Sequence, residues 1–472
     1  MAEGGINAAL NTKDENDSPE EHFTDTIKAA CGLADPNAVW GMTQAAPELV
    51  HWLLKLGVKF NMSGYDDVDL RNFGGQKKKR TAFAQSDTGK QIMTAMIDAV
   101  RRKEAFGMVE RFSHHSFLTL RLCGNICCGC VIRDEYSQET VELPGDAVIV
   151  ATGGMHGLFG NTTGSLSNTG EVTAELFRLG VPLANGEMIQ YHPTTVKCGG
   201  KRMLISEAAR GEGGRLFAMK DGKQWYFMEE KYPELGNLMP RDITAREIWK
   251  VSHESEVFLD MTEISEEIIS NKLSGLADDC MTYLHKDIRK EPVSVLPGIH
   301  YFMGGILVDE QHRTPIQNLY AAGECCAQYH GANRLGGNSL LGALYGGRVA
   351  AKSACEQADV VDLSCATQID FPPASQISEI KQLNKVMQET MGVVRNENTL
   401  LNGIQTVQAL TGNLPLLGMA VLKSALARKE SRGAHWREDY PKSNDNDYLK
   451  TTVARFDGKQ IQISFVPVPE RR

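Results

Sequence analysis

The sequence predicts an α/β fold in which a Rossmann-like nucleotide-binding sheet is interrupted by an inserted α+β capping segment and followed by a helical C-terminal part. Two apolar runs carry the first element: ELPGDAVIVATGG, closed by paired glycines, and IQNLYAAGE at 316 to 324, closed by Gly323 and Glu324. Each has the form of a parallel strand whose following loop lets backbone or a carboxylate approach a nucleotide. The stretch between them, roughly Gly186 to Leu296, differs in texture, with polar loops and the aromatic-rich KDGKQWYFMEEKYPELGN. After it, QISEIKQLNKVMQETMGVV and LLGMAVLKSALARKESRG carry helical apolar spacing.

Taken in order, residues 20 to 60 show helical periodicity that runs through APELVHWLLKLGV to a Gly-ended turn. From 108 to 152 the texture is β-rich, and LRLCGNICCGCVIRDE reads as a hairpin with a Gly-Asn turn. The expected division is a nucleotide-binding domain in two parts, 1–185 and 297–355, a capping domain at 186–296, and a helical domain with tail at 373–472 that ends in the strand-like QIQISFVPV. A cleft between the first two domains is a place where a small substrate can be shut away from water.

Composition narrows the function classes. A chain of 472 residues that is 42% hydrophobic can bury several cores, so two or three domains are expected. Its 50 Lys and Arg against 59 Asp and Glu, a net charge of -9 without a block of like charges, argue against nucleic acid as a partner. No apolar run approaches the roughly 20 residues of a membrane span, so membrane attachment is expected only through another subunit. The opening MAEGGINAALNTKDENDSPEEHF lacks a secretory pattern, and a cytoplasmic location is expected. Eleven cysteines, several adjacent, suit a reducing compartment better than a disulfide framework. Cys123, Cys127, Cys128 and Cys130 alternate faces on the hairpin and read as packing residues; no metal site is expected.

The chemistry-bearing residues lie in four stretches. QYHPTT holds His192, which alone reads as structural. LISEAARGEGGRL spaces Glu207 and Arg210 three apart, on one helical face, where the bland reading is a solvated ion pair. NLMPRDITARE sets Arg241 between Pro240 and Asp242. The fourth is split between PGIHYFMGGILVD, with His300, and HGANRLGGNSLLGALYGGRVAA, with His330, Arg334, Asn338 and Ser339. A substrate with two carboxylates calls for a guanidinium with imidazoles and hydroxyls for the other end, a need that Arg334, His192, His300 and Ser206 meet.

The strings AEGGINAALNTK, RNFGGQKKKRTAFAQSDTG, AVIVATGG, QYHPTT, SEAARGEGGR, YPELGNLMPRDITAREI, IHYFMGGI, LYAAGE, HGANRLGGNSLL and ALARKESRGAHWREDYP together resemble the succinate dehydrogenase/fumarate reductase flavoprotein family over nearly the whole chain. The KDGKQWYFMEEKYPELGNLMPRD stretch looks most like its Gram-positive, menaquinone-linked branch. The resemblance implies FAD-dependent interconversion of succinate and fumarate, with hydride exchange at the flavin and electrons passing through an iron–sulfur subunit, held at the inner face of the membrane by an anchor subunit. It implies Arg241 as the proton-transferring residue, with Glu207 and Arg210 as its relay. An unperturbed arginine is far too basic for ordinary general-base work, so this role comes from the resemblance and not from the residue's own chemistry. His192, Ser206, His300 and Arg334 are implied to hold the dicarboxylate, Ser206 standing where much of the family has Thr. FAD contacts are implied for Ala2, Glu3, Gly4, Gly5, Glu171, Glu324, Asn338, Ser339 and Leu340.

One departure lies at the start. The family's opening strand, its G-x-G-x-x-G turn and the histidine that commonly carries FAD covalently have no counterpart before AEGG, so the expectation is an N-terminally truncated chain whose sheet leaves apolar faces uncovered. In the RGAHWRED landmark, Arg432, His435 and Arg437 read either as a charged surface or as a surface for a partner subunit. Two other functions stay open: L-aspartate oxidase or a soluble fumarate reductase of the same superfamily, and a non-catalytic remnant.

Overall fold

The computed structural model describes residues 3–64, 67–358, 369, 371 and 376–472. The N-terminal helical periodicity resolves into two helices, Pro19–Ala29 and Pro36–Leu56. Ser18 and Asp35 cap them by accepting backbone N–H bonds, prolines occupy the first turns, and Gly57 closes the second helix at φ 100°, a left-handed conformation that glycine adopts without a Cβ clash. Their apolar faces bury Val39, Met42, Leu49, Val50 and Leu53 against Ile6 and Leu341, which ties the opening segment to the long helix Asn338–Gln357.

The expected hairpin is present, with strands His115–Cys123 and Ile126–Asp134 around Gly124 and Asn125. Cys127 and Cys128 are buried free thiols and Cys130 is a half-buried one. Cys123 corrects the reading of a wholly reduced set, because it is disulfide-bonded; it closes its strand beside the turn. The run AVIVATGG forms the strand Val148–Val150, parallel to Leu319–Ala321 as expected. It is not the fully buried strand that its apolar run suggested. Ile149 is 41% exposed, because among the described residues the strand is hydrogen-bonded on one side only, in a two-stranded sheet.

The inserted stretch builds its own antiparallel sheet, in the order Lys223–Trp225, Arg215–Lys220, Val257–Asp260 and Val293–Ser294, over an apolar cluster that includes Leu216, Ile248, Val257 and Leu259. Two longer strands, Ile189–Cys198 and Leu296–Phe302, pair antiparallel beside it and set Gly298 opposite His192. The helix Arg241–Val251 packs on both. Near the end of the chain, Ile377–Thr390, Glu397–Val407 and Asn413–Ala427 are helical and bury Leu383, Met387, Leu417 and Val421. Residues 373–375 of the expected helical domain lie outside the described residues. The tail supplies two strands where one was read, Lys450–Phe456 and Ile461–Pro467, and the first pairs with Leu183–Ala184.

Candidate active site

A cavity of about 990 Å³ opens where these parts meet. From the inserted stretch and the strands beside it come His192, Ser206, Glu207, Arg241 and His300; from the segments around the parallel strands come Arg334, Glu324, Ser339 and Leu340; from the opening loop come Glu3, Gly4 and Gly5. Residues separated by more than 300 positions in the chain thus share one space.

At its centre Arg241 begins its helix immediately after Pro240. Its Nε and Nη2 donate to Glu207 Oε2 at 2.8 and 2.6 Å, and its Nη1 donates to Gln190 Oε1 at 3.1 Å. The other oxygen, Glu207 Oε1, accepts from Gly74 N–H at 3.2 Å and lies 3.4 Å from Arg210 Nη2. Arg210 donates onward to the Asn237 carbonyl at 2.6 Å. The Glu207–Arg210 pair is therefore buried, not solvated as its spacing alone suggested. Burial works to raise the Glu207 carboxyl, but the guanidiniums of Arg241 and Arg210 outweigh it and hold its pKa below the usual range. Glu207 stays ionised between two cations.

Arg334 is the contrasting group. It is 3% exposed, its guanidinium lies over the Tyr301 ring at 4.4 Å, and its Nε has no hydrogen-bond partner. Burial first, and then the like charge of Arg241, pull its pKa down to about 9. A buried cation without an anion is unfavourable unless something arrives to pair with it. His192 and His300 meet edge to face at 5.1 Å. Burial and the nearby Arg241 keep both far below the ordinary histidine pKa, so both are neutral near pH 7. Thr163 Oγ1 orients His300 at 2.8 Å from Nδ1, while Thr194 N–H donates to His192 Nδ1 at 3.2 Å. Ser206 caps the helix Glu207–Gly211 by accepting from Ala208 N–H, which leaves its own O–H available.

The cofactor side fits a bound FAD on three observations. Ser339 and Leu340 open a 20-residue helix whose first N–H groups have no side-chain cap, an electropositive end suited to a reduced ring system or a phosphate. Gly4 and Gly5 bring bare backbone to the cavity, and a Cβ on Gly5 would lie 2.4 Å from the Ala82 carbonyl. Glu324, just past the strand Leu319–Ala321, takes the Phe302 N–H on Oε1 at 3.0 Å while facing the same space. Two expected contacts, Glu171 and Asn338, fall elsewhere, and a third is not among the described residues. Ala2 lies outside the described residues. Glu171 heads the helix Glu171–Arg178 and does not line the cavity. Asn338 is fully buried behind it, with its Oδ1 accepting from Asn7 Nδ2 and its Nδ2 donating to Thr26 Oγ1.

Sequence reading missed Gln190, which accepts from Arg241 and donates to the Arg334 carbonyl at 2.9 Å and to Asn333 Oδ1 at 3.0 Å. Its place in QYHPTT, two residues before His192, was the available signal. RGAHWRED was misread in both directions. Arg432, His435 and Arg437 are buried and form no surface, because Arg428 binds Glu187 and Glu430, Arg432 binds Glu430, and Arg437 binds Asp439.

Residues 1–340 match the FAD binding domain family, and residues 410–471 match the fumarate reductase flavoprotein C-terminal family. The chain is 36% identical to the succinate dehydrogenase flavoprotein subunit of Bacillus subtilis, covering 100% of this chain and 91% of that one. It is 32% identical to an L-aspartate oxidase of Nostoc, over 96% and 86% of the two chains. Among solved structures, E. coli quinol fumarate reductase superposes with a TM-score of 0.89 at 27% identity, covering 99% of this chain and 89% of that one.

Proposed function

The chain belongs to the succinate dehydrogenase/fumarate reductase flavoprotein family and is an FAD-dependent oxidoreductase of that kind; from that premise we propose that its cavity interconverts succinate and fumarate, with Arg241 moving the proton. The observation that carries this reading is the buried Arg334 guanidinium, which lines the cavity near Arg241 and makes no salt bridge among the described residues. A substrate carboxylate supplies the missing anion, and bidentate pairing fixes its direction. His192, His300 and Ser206, which line the same cavity, take the second carboxylate through neutral donors. FAD, when bound, supplies the two-electron acceptor or donor.

Arg241 holds a proton next to the carbon that must gain or lose one. Ionised Glu207 fixes its Nε and Nη2, and Gln190 fixes Nη1, so the guanidinium cannot rotate away. Protons are exchanged with the exterior along Arg241, Glu207 and Arg210. Glu207 cannot store one for long, since both cations favour its charged form. Gln190 also anchors the Arg334 backbone and so couples the two arginines in space.

We assign electron exchange with an iron–sulfur subunit, and attachment to the inner face of the cell membrane through an anchor subunit. No helix among the described residues is long and apolar enough to cross a membrane. The L-aspartate oxidase resemblance favours a second reading, since that substrate also carries two carboxylates. Dye-linked assays of the flavin-loaded protein with fumarate, succinate and L-aspartate separate the two. Turnover of the first pair and none of L-aspartate is expected; oxidation of L-aspartate alone would overturn the proposal.

A further inference from the structure

The opening loop that brings Glu3, Gly4 and Gly5 to the cavity is held from behind by one side chain that the catalytic reading does not use. Arg71 is 4% exposed and makes no salt bridge among the described residues. Its Nε and Nη2 donate to the Gly4 carbonyl at 2.9 and 2.6 Å, and Nη2 also reaches the carbonyls of Glu3 at 3.2 Å and Gln85 at 3.0 Å. The guanidinium lies over the Phe83 ring at 4.2 Å, which offsets part of the burial of an unpaired cation. Thr88 Oγ1 adds a second donor to the Glu3 carbonyl at 3.2 Å.

These bonds have a consequence at the cavity. In a trans peptide the carbonyl and the next N–H point in opposite directions. Drawing the Glu3 and Gly4 carbonyls toward Arg71 therefore turns the N–H groups of Gly4 and Gly5 the other way, and neither finds a backbone acceptor among the described residues. Gly5 sits at φ 129°, and a Cβ on Gly4 would lie 2.8 Å from Phe73 Cζ, so the loop has little other room. We infer that Arg71 is a positioning residue for the cofactor: it grips the outward carbonyls of the opening loop and so presents two peptide N–H donors to FAD. The inference rests on FAD occupying this cavity.

The test titrates FAD into the flavin-free 472-residue chain and its Arg71→Gln and Arg71→Lys variants, following flavin absorbance and the melting temperature of the apo-proteins. Arg71→Gln is expected to raise the FAD dissociation constant at least tenfold and to shift the flavin absorbance band, with apo-protein melting little changed; Arg71→Lys should recover part of the affinity. Unaltered affinity and spectrum in Arg71→Gln overturn the role, as does a loss that tracks apo-protein melting and is not recovered by Lys. If Arg71→Gln does not fold, Thr88→Val removes a bond to the same loop, and an unchanged FAD affinity there overturns the role equally. Failure of the wild-type chain to take up FAD sinks the occupancy of the cavity itself, a result distinguishable from failure of Arg71.

Discussion

Two buried groups of arginines invite comparison, one around the cavity and one in the C-terminal RGAHWRED region. Around the cavity, Arg210 and Arg241 share Glu207, the only carboxylate paired with either among the described residues, and Arg334 has none. In the C-terminal region, Arg428 lies 2.7 Å from both Glu187 and Glu430, Arg432 pairs with Glu430 and Asp445, and Arg437 pairs with Asp439. Arg395 completes that group by donating to the Glu187 carbonyl at 2.7 Å and meeting His435 Nδ1 at 2.9 Å. Burial alone does not separate the two, since Arg334 and Arg428 are both almost inaccessible. Compensation does. A cluster that neutralises itself fixes the packing of chain segments far apart in sequence, whereas one left short of negative charge is built to receive it.

The sharpest way to break this distinction is to remove one arginine from each side. Arg241→Gln should lower turnover by about 10²- to 10⁴-fold, the usual contribution of a positioned proton donor, while flavin absorbance and dicarboxylate binding persist. Retention of more than a tenth of wild-type turnover would assign the proton to another group. Arg428→Met leaves Glu187 and Glu430 facing a vacant charge position, and a loss of about 3–5 kcal/mol in unfolding free energy is expected. Turnover per folded, flavin-loaded molecule should not move. A normal denaturation midpoint with altered KM would show that the C-terminal cluster reaches the chemistry after all.

Arg334→Met sharpens the contrast, because its two effects should have opposite signs. The loss of a charge-assisted pair worth about 1.5–3 kcal/mol should raise the dicarboxylate KM by roughly 10- to 150-fold. Stability of the ligand-free protein should hold or rise, since a buried cation without a partner has been replaced by an apolar side chain. Thermal melts with and without a dicarboxylate read both at once: wild type should gain melting temperature from the ligand, and the variant should not. Destabilisation of the free variant would mean that Arg334 is compensated by something other than substrate.

How much of this was legible follows from the range of each interaction. Helix caps, the Gly57 stop and the hairpin at Gly124–Asn125 are set by neighbours within a few residues, and the string patterns located them. Arg241, Glu207, His192, His300 and Arg334 stood out because their short strings resemble those of a family, and the fold brings them to one cavity. Gln190 and Arg71 were silent, since an amide or guanidinium gains its role only when a group 51 or 67 positions away comes within bonding distance. RGAHWRED misled for the same reason. Its charges look like a surface until Glu430 and Asp445 are found against Arg432, and Arg395, 40 positions away, against His435. The strand at 450–456 was missed as well; it pairs with the adjacent 461–467 and with the remote 183–184.

The smallest expected effect concerns Glu3, the cavity's least settled carboxylate. Burial raises its pKa from 4.5 to about 7, and its Oε2 has no hydrogen-bond partner. A carboxyl whose folded pKa lies above its unfolded value binds more protons when folded, so its favourable contribution is complete below about 4.5 and is lost as pH rises through about 7. Glu3→Gln keeps the shape and removes the titration. The melting temperature of the wild-type protein should therefore fall relative to the variant between pH 5 and pH 8, by an amount on the order of 2 °C. Parallel melting curves for the two proteins across that interval would place the charged Glu3 in a site that already stabilises it, and the cavity would then be more positive toward its opening loop than a raised Glu3 pKa implies.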